Sequence, residues 1–95
     1  MNNAETLARA ERVNKLLNDP ELLGAFASVR EAIVTKIEQC PMRDTEGAEK
    51  LRIMLKLLND VRANLEQAIT DGKVVNFRLQ QDQEDRKHRF TSLFR

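Results

Sequence analysis

The chain has 95 residues, of which 33% are charged and 41% hydrophobic, and a formal net charge of +1, so it forms one small domain without the charge excess that favours nucleic acids or anionic membranes. Its single cysteine, Cys40, excludes an intrachain disulfide framework. With no Trp, no Tyr and only four Phe, the core must consist of Leu, Ile, Val, Met and Ala, which predicts an all-α fold.

The first predicted element is a helix over residues 4–18. Its apolar residues recur mainly every three or four positions and share one face: Leu7, Ala10, Val13, Leu16 and Leu17. Asn18-Asp19-Pro20 then separates this helix from the next. Asp19 is well placed as an N-cap, and Pro20 fits the first helical turn because its missing N–H is not needed there.

A second helix is predicted over residues 20–39, because Pro41 cannot continue it. Its packing seam consists of Leu22, Phe26, Val29, Ile33 and Ile37. A third helix is predicted over residues 45–71, starting at Asp44 or Thr45 and ending at Gly72 as a left-handed cap. Its seam consists of Leu51, Met54, Leu55, Leu58, Val61, Leu65 and Ile69.

The short link between the second and third helices predicts that they pack as an antiparallel hairpin. The third helix is the longer of the two, so either the first helix or another subunit must cover its far end. The two seams have little area with which to enclose themselves, which favours a homo-oligomer in which hairpins pair. A three-helix monomer completed by the first helix is the alternative.

Beyond Gly72 the pattern is weaker, and residues 74–79 are compatible with either helix or extended chain. We predict a single helical domain over residues 1–79, followed by a flexible or short-helical tail over residues 80–95. The candidate partner-binding residues of this tail combine basic and apolar side chains: Arg86, Lys87, Arg89, Phe90, Leu93, Phe94 and Arg95. Such a segment resembles a docking peptide, although it could equally pack back on its own helices.

Signals for chemistry are few. His88 is the only histidine and lies in a charged segment, and Cys40 is better explained as a small packing residue than as a nucleophile. The three glycines are isolated, so no phosphate-binding loop is present. We predict no catalytic residues, no cofactor, no metal site and no enzyme activity. We also expect neither a signal peptide nor a membrane span.

Three segments carry a family resemblance: Leu-Leu-Asn-Asp-Pro-Glu-Leu-Leu-Gly-Ala-Phe at 16–26, Cys-Pro-Met-Arg-Asp-Thr-Glu-Gly-Ala-Glu-Lys-Leu at 40–51, and Leu-Glu-Gln-Ala-Ile-Thr-Asp-Gly-Lys at 65–73. Together they resemble small helical proteins encoded among the head and packaging genes of tailed bacteriophages and prophages. The resemblance spans about residues 7–75 and excludes the tail. It implies an accessory protein of virion assembly or structure, and it transfers no catalytic residue.

The leading hypothesis is therefore a non-enzymatic phage protein that acts through helix-mediated contacts, with a head or portal protein as its partner. Two alternatives stay open. The basic and aromatic residues of the tail could bind nucleic acid in DNA packaging or regulation, or the protein could inhibit a host protein.

Overall fold

The computed structural model describes the backbone of residues 2–93 and the side chains of residues 2–89. It contains three helices, which we number α1 (Asn3–Leu17), α2 (Pro20–Gln39) and α3 (Thr45–Leu93). No strand occurs in the described part of the chain. The prediction of an all-α fold is confirmed, and the observed bounds of α1 and α2 agree with the predicted ones to within one residue.

Each helix begins at a side chain that accepts a hydrogen bond from a free backbone N–H of the first turn. The Asn2 side chain accepts from the Glu5 N–H at 2.8 Å, and Asp19 accepts from the Glu21 N–H at 2.9 Å. Asp44 accepts from the Gly47 N–H at 3.0 Å. Of the two predicted caps for α3, Asp44 therefore makes the bond, and the short linkers between helices are stabilised by local chemistry.

The predicted end of the third helix at Gly72 is wrong, because α3 continues without interruption to Leu93. Gly72 is buried and does not adopt a positive φ. A Cβ atom placed on Gly72 would collide with the Ala10 Cβ and would lie 3.9 Å from the Thr6 carbonyl oxygen. The glycine thus allows α1 to approach the α3 backbone closely. Glycine is also the usual residue of a helix cap, so the sequence alone does not distinguish the two roles.

The C-terminal part of the chain also differs from the prediction, because α3 continues through it. Residues 74–79 are helical, and the separate flexible or short-helical tail is not confirmed. Val75 is half-buried beside α1, which helps to explain why the helix continues, whereas Val74, Phe77 and Leu79 are exposed. At about 1.5 Å per residue, the 49 residues of α3 span about 74 Å.

The molecule is a rod with dimensions of 77 × 26 × 20 Å. Its radius of gyration is 21.7 Å, whereas a compact domain of this length would have about 12 Å. The two short dimensions match two helices side by side, since one helix with its side chains is about 10–12 Å wide. The long dimension matches the length of α3, which therefore determines the shape of the molecule.

Both α1 and α2 pack on α3, and they have little contact with each other. Residues of α1 share clefts with α3 residues 68–78, and the Arg9 guanidinium donates a hydrogen bond to the Asn64 side-chain oxygen at 3.3 Å. Residues of α2 line clefts with α3 residues 58–62. The two shorter helices thus contact successive stretches of the long one.

The core formed by these contacts is small. Among the side chains that the structure describes, the buried hydrophobic ones are Val13 of α1, Ile33 of α2 and Ala68 of α3. Each helix contributes one of them. Of the other apolar residues, many are only half-buried and several large ones are exposed, because two helices side by side cannot surround a side chain.

We predict that Gly72→Leu destabilises the protein by about 1–3 kcal/mol, because the larger side chain overpacks the contact with Ala10 and separates α1 from α3. The matched control is Gly24→Leu in α2, where a Cβ would meet no atom within 4 Å. This control should increase stability by about 0.5–1 kcal/mol through helix propensity. Urea unfolding followed by circular dichroism measures both variants, and equal stability of the two would contradict the assigned role of Gly72.

Candidate interaction surfaces

The seam between α2 and α3 has two different sides. On one side, a groove is lined entirely by apolar residues: Leu22, Ala25, Phe26, Val29 and Leu58. On the other side, a cleft is lined by Phe26, Ala27, Arg30, Leu58, Asn59 and Arg62. Phe26 and Leu58 belong to both sets, so they lie in the seam itself, and the remaining residues identify the two sides.

Helix geometry extends the apolar side along α3. Residues one and four positions after Leu58, which are Asn59 and Arg62, lie on the polar side. At 3.6 residues per turn, positions four before, one before and three after Leu58 lie on the opposite side of it. These positions are Met54, Leu57 and Val61, and their side chains are 47%, 58% and 53% exposed. They therefore continue the apolar groove.

We call this surface the apolar face and define it by six residues: Leu22, Ala25, Val29, Met54, Leu57 and Val61. Val29, Met54, Leu57 and Val61 are 47–58% exposed and Leu22 is half-buried, so the described part of the chain leaves this face largely uncovered. Isolated exposed apolar residues are ordinary, but a contiguous set on two neighbouring helices marks a contact surface. The apolar face is thus the leading candidate interaction site.

α3 carries ion pairs at helical spacing outside the apolar face. Arg52 pairs with Glu49, Lys56 with Asp60, and Arg62 with Glu66, at distances of 3.3, 3.1 and 3.1 Å. These side chains are 48–76% exposed, so each pair contributes only a few tenths of a kcal/mol. Arg62 lines the polar side of the seam, and the charges distinguish these parts of α3 from the apolar face.

The predicted packing residues divide into two groups in the structure. Those that lie against neighbouring helices are buried or half-buried: Leu22, Phe26, Ile33, Ile37, Leu51, Leu55, Leu58, Leu65 and Ile69. Val29, Met54 and Val61 are about half exposed. The first group fills contacts within one chain, with Leu22 also bordering the apolar face, while the second remains available to a partner.

Sequence reasoning missed Leu57, which is the most exposed member of the apolar face on α3. Leu57 has the helical spacing of the seam, three residues after Met54 and four before Val61, but the predicted seam contains its neighbour Leu58 instead. Leu16 and Ile53 are also exposed apolar residues, at 48% each. The signal that could have identified this surface is the shared spacing of Met54, Leu57 and Val61.

The predicted tail begins on α3 beyond its contacts with α1, and we call residues 80–89 the projecting segment. Arg86, Lys87 and Arg89 are exposed on it. Arg86 and Arg89 line a common surface with Asp82 and Asp85, each of which stands four positions before one of the arginines. These carboxylates reduce the positive potential around the arginines, so the segment is a weaker phosphate-binding surface than its basic residues alone indicate.

The remaining predicted tail residues cannot be located by their side chains. The side chains of Phe90 and Leu93, and all atoms of Phe94 and Arg95, lie outside the described residues. Their role in partner binding stays a prediction.

Cys40 and His88 are far apart. The Cys40 Sγ lies 3.6 Å from the Asp44 carbonyl oxygen, to which it can donate a weak hydrogen bond, at the start of α3. His88 lies far along α3, about 65 Å from the start of that helix. One chain therefore cannot form a cysteine–histidine pair.

Neither a cluster of metal-binding residues nor a membrane-spanning helix occurs in the described part of the chain. No group of histidine, cysteine, aspartate or glutamate residues there could hold a metal ion. No helix among those residues is long and apolar enough to span a membrane.

Comparisons with known proteins add no assignment. No protein family, curated protein sequence or solved structure matches this chain.

We predict that backbone amides of the projecting segment exchange with solvent at least about 100-fold faster than those around Ala68 and Gly72, because residues 80–89 are all exposed whereas Ala68 and Gly72 are buried. Hydrogen exchange followed by mass spectrometry or NMR measures this difference. Equal protection along α3 would show that another molecule, such as a second copy of the chain, covers the projecting segment.

Proposed function

We propose that this protein is a non-enzymatic accessory protein of virion assembly or structure that acts through helix-mediated protein–protein contacts. The observation that carries the proposal is the contiguous apolar face on α2 and α3, formed by half-exposed side chains such as Leu57 and Val61. A surface of this kind stabilises a complex by removing apolar area from water. The six residues of the apolar face include no nucleophile and no general base.

The architecture that we propose for this role is an antiparallel hairpin of α2 and α3, with α1 lying along the more distal part of α3. Three contacts support this arrangement. Cys40 lies against Asp44 at the turn, Phe26 shares a cleft with Leu58 farther along, and Ala10 faces Gly72 farther still. Positions before the turn thus contact α3 positions at increasing distance after it, which is the order that an antiparallel arrangement requires.

The partner that we propose is a head or portal protein of a tailed phage, contacted through the C-terminal end of α3. Support comes from two sources: the resemblance of residues 7–75 to proteins encoded among phage head and packaging genes, and the geometry of α3. The projecting segment extends the helix beyond its contacts with α1, so this end can enter a groove on another protein without disturbing the rod. The protein would then act in the virion or in the host cytoplasm.

The test is association with phage particles in the strain that encodes the protein. We expect the tagged full-length chain to sediment with heads or assembly intermediates. The triple variant Arg86→Gln, Lys87→Gln, Arg89→Gln should reduce the bound fraction at least about tenfold, because it removes the charge-assisted contacts of the C-terminal end. The double variant Phe90→Ala, Phe94→Ala should weaken binding similarly by removing two aromatic anchors.

The matched control is Arg43→Gln, Arg52→Gln, Lys56→Gln, which changes the net charge equally at exposed positions far from the C-terminal end. It should bind as well as the unaltered protein. If the unaltered chain does not sediment with particles, the proposed function fails. If the control triple loses binding as strongly as the C-terminal triple, the contact depends on net charge rather than on that end of the molecule.

A further inference from the structure

We infer that the apolar face binds a second copy of this chain, so that two rods pair with their apolar faces together. The inference deepens the proposed function and rests on it, since it names the first partner of a protein that works through helix contacts. It narrows the pairing expected through the packing seams to their exposed residues, because others, such as Ile33 and Leu58, already make contacts within one chain.

The area of the side of the rod that carries the apolar face supports this occupant. α2 has 20 residues and is therefore about 30 Å long, and two adjacent helices are about 20 Å wide. That whole side of the α2–α3 pair, of which the apolar face is one part, measures on the order of 600 Å², and its burial on two copies removes about 1,200 Å² from water. This value reaches the lower end of the range of about 1,200–2,000 Å² that specific protein interfaces bury.

The composition of the face also matches a second copy. Its groove is lined only by apolar side chains, from Leu22 and Val29 to Leu58, so it presents no polar group that a different partner would have to satisfy. Two such faces are identical and complementary in chemistry, which is the requirement of a two-fold interface. Joining them places four helices around one core, the smallest arrangement that encloses both faces.

The stability of a single rod points in the same direction. Its buried hydrophobic core among the described side chains consists of Val13, Ile33 and Ala68, and Ala68 adds little apolar area. Small chains with so few buried residues commonly depend on association for their stability. Pairing through the apolar face moves Met54, Leu57 and Val61 into a shared core.

Val74 and Phe77 form a second exposed apolar group on α3. We use Phe77 as a control position and do not assign the pairing to this group. Phe77 is 65% exposed, but it lies five positions after Gly72 and hence about 140° around α3 from the contact with α1. It has no counterpart on a neighbouring helix among the described residues that line the clefts of α1 and α3. Phe77 is therefore an exposed apolar residue outside the apolar face.

The experiment measures the mass of the purified full-length protein by analytical ultracentrifugation between about 1 and 100 µM. We expect a concentration-dependent dimer and a melting temperature that rises with protein concentration. The double variant Val29→Glu, Leu57→Glu should raise the dimer dissociation constant at least about 100-fold, because it brings four carboxylates into an apolar contact. The single variant Phe77→Glu should leave the dissociation constant within about twofold of the original value.

Circular dichroism at high concentration shows whether the double variant still folds. If it loses its helices, the milder pair Val29→Ala, Leu57→Ala replaces it, with an expected increase in the dissociation constant of about tenfold. A monomer at 100 µM for the unaltered chain overturns the inference, and so does a dimer that both double variants leave intact. Dissociation by Phe77→Glu instead would assign pairing to the other surface.

The two proposals fail in different ways. A dimer that does not sediment with particles leaves the self-association intact and removes the function in virion assembly. A monomer that binds particles through its C-terminal end does the reverse.

Discussion

Two helices that lie side by side cover each other along one stripe only, and this constraint underlies the structure described above. α3 spans about 74 Å, and α1 and α2 contact successive stretches of it instead of surrounding it. A third helix packed on the same stretch would have created an enclosed core. Because only two helices lie side by side along the described rod, side chains such as Val29, Leu57 and Val61 are about half exposed. The small core and the apolar face therefore have the same geometric cause.

The contact between Gly72 and Ala10 determines where α1 lies. Because glycine has no Cβ, the α1 backbone comes close enough for Ala10 and Thr6 to touch α3 at this level, and Val13 and Ala68 become buried. Without that approach, the distal part of α3 would lose the helix that covers it.

The two candidate surfaces differ in the forces that they can use. The apolar face stabilises a complex by burial of hydrocarbon, which is insensitive to salt and suited to a permanent contact. The projecting segment carries mixed charges, with Asp82 and Asp85 beside Arg86 and Arg89, and such charges favour orientation and association rate more than affinity. A protein with one surface of each kind can pair with itself and still contact a different partner at its end.

The sequence by itself determined the all-α class, the helix starts and the break between α1 and α2. These features depend on local chemistry: Asp19 and Pro20 act within one turn, and the Asp44 side chain binds the N–H of a residue three positions away. The end of α3 and the location of the apolar face required the tertiary structure. The sequence is compatible with a cap at Gly72, and only the structure shows that Ala10 lies against this glycine. The spacing places Leu57 on one side of α3 with Met54 and Val61, but only the position of α2 shows that this side stays open. Both depend on residues distant in the chain, and helical spacing alone carries no information about which neighbour will occupy a face.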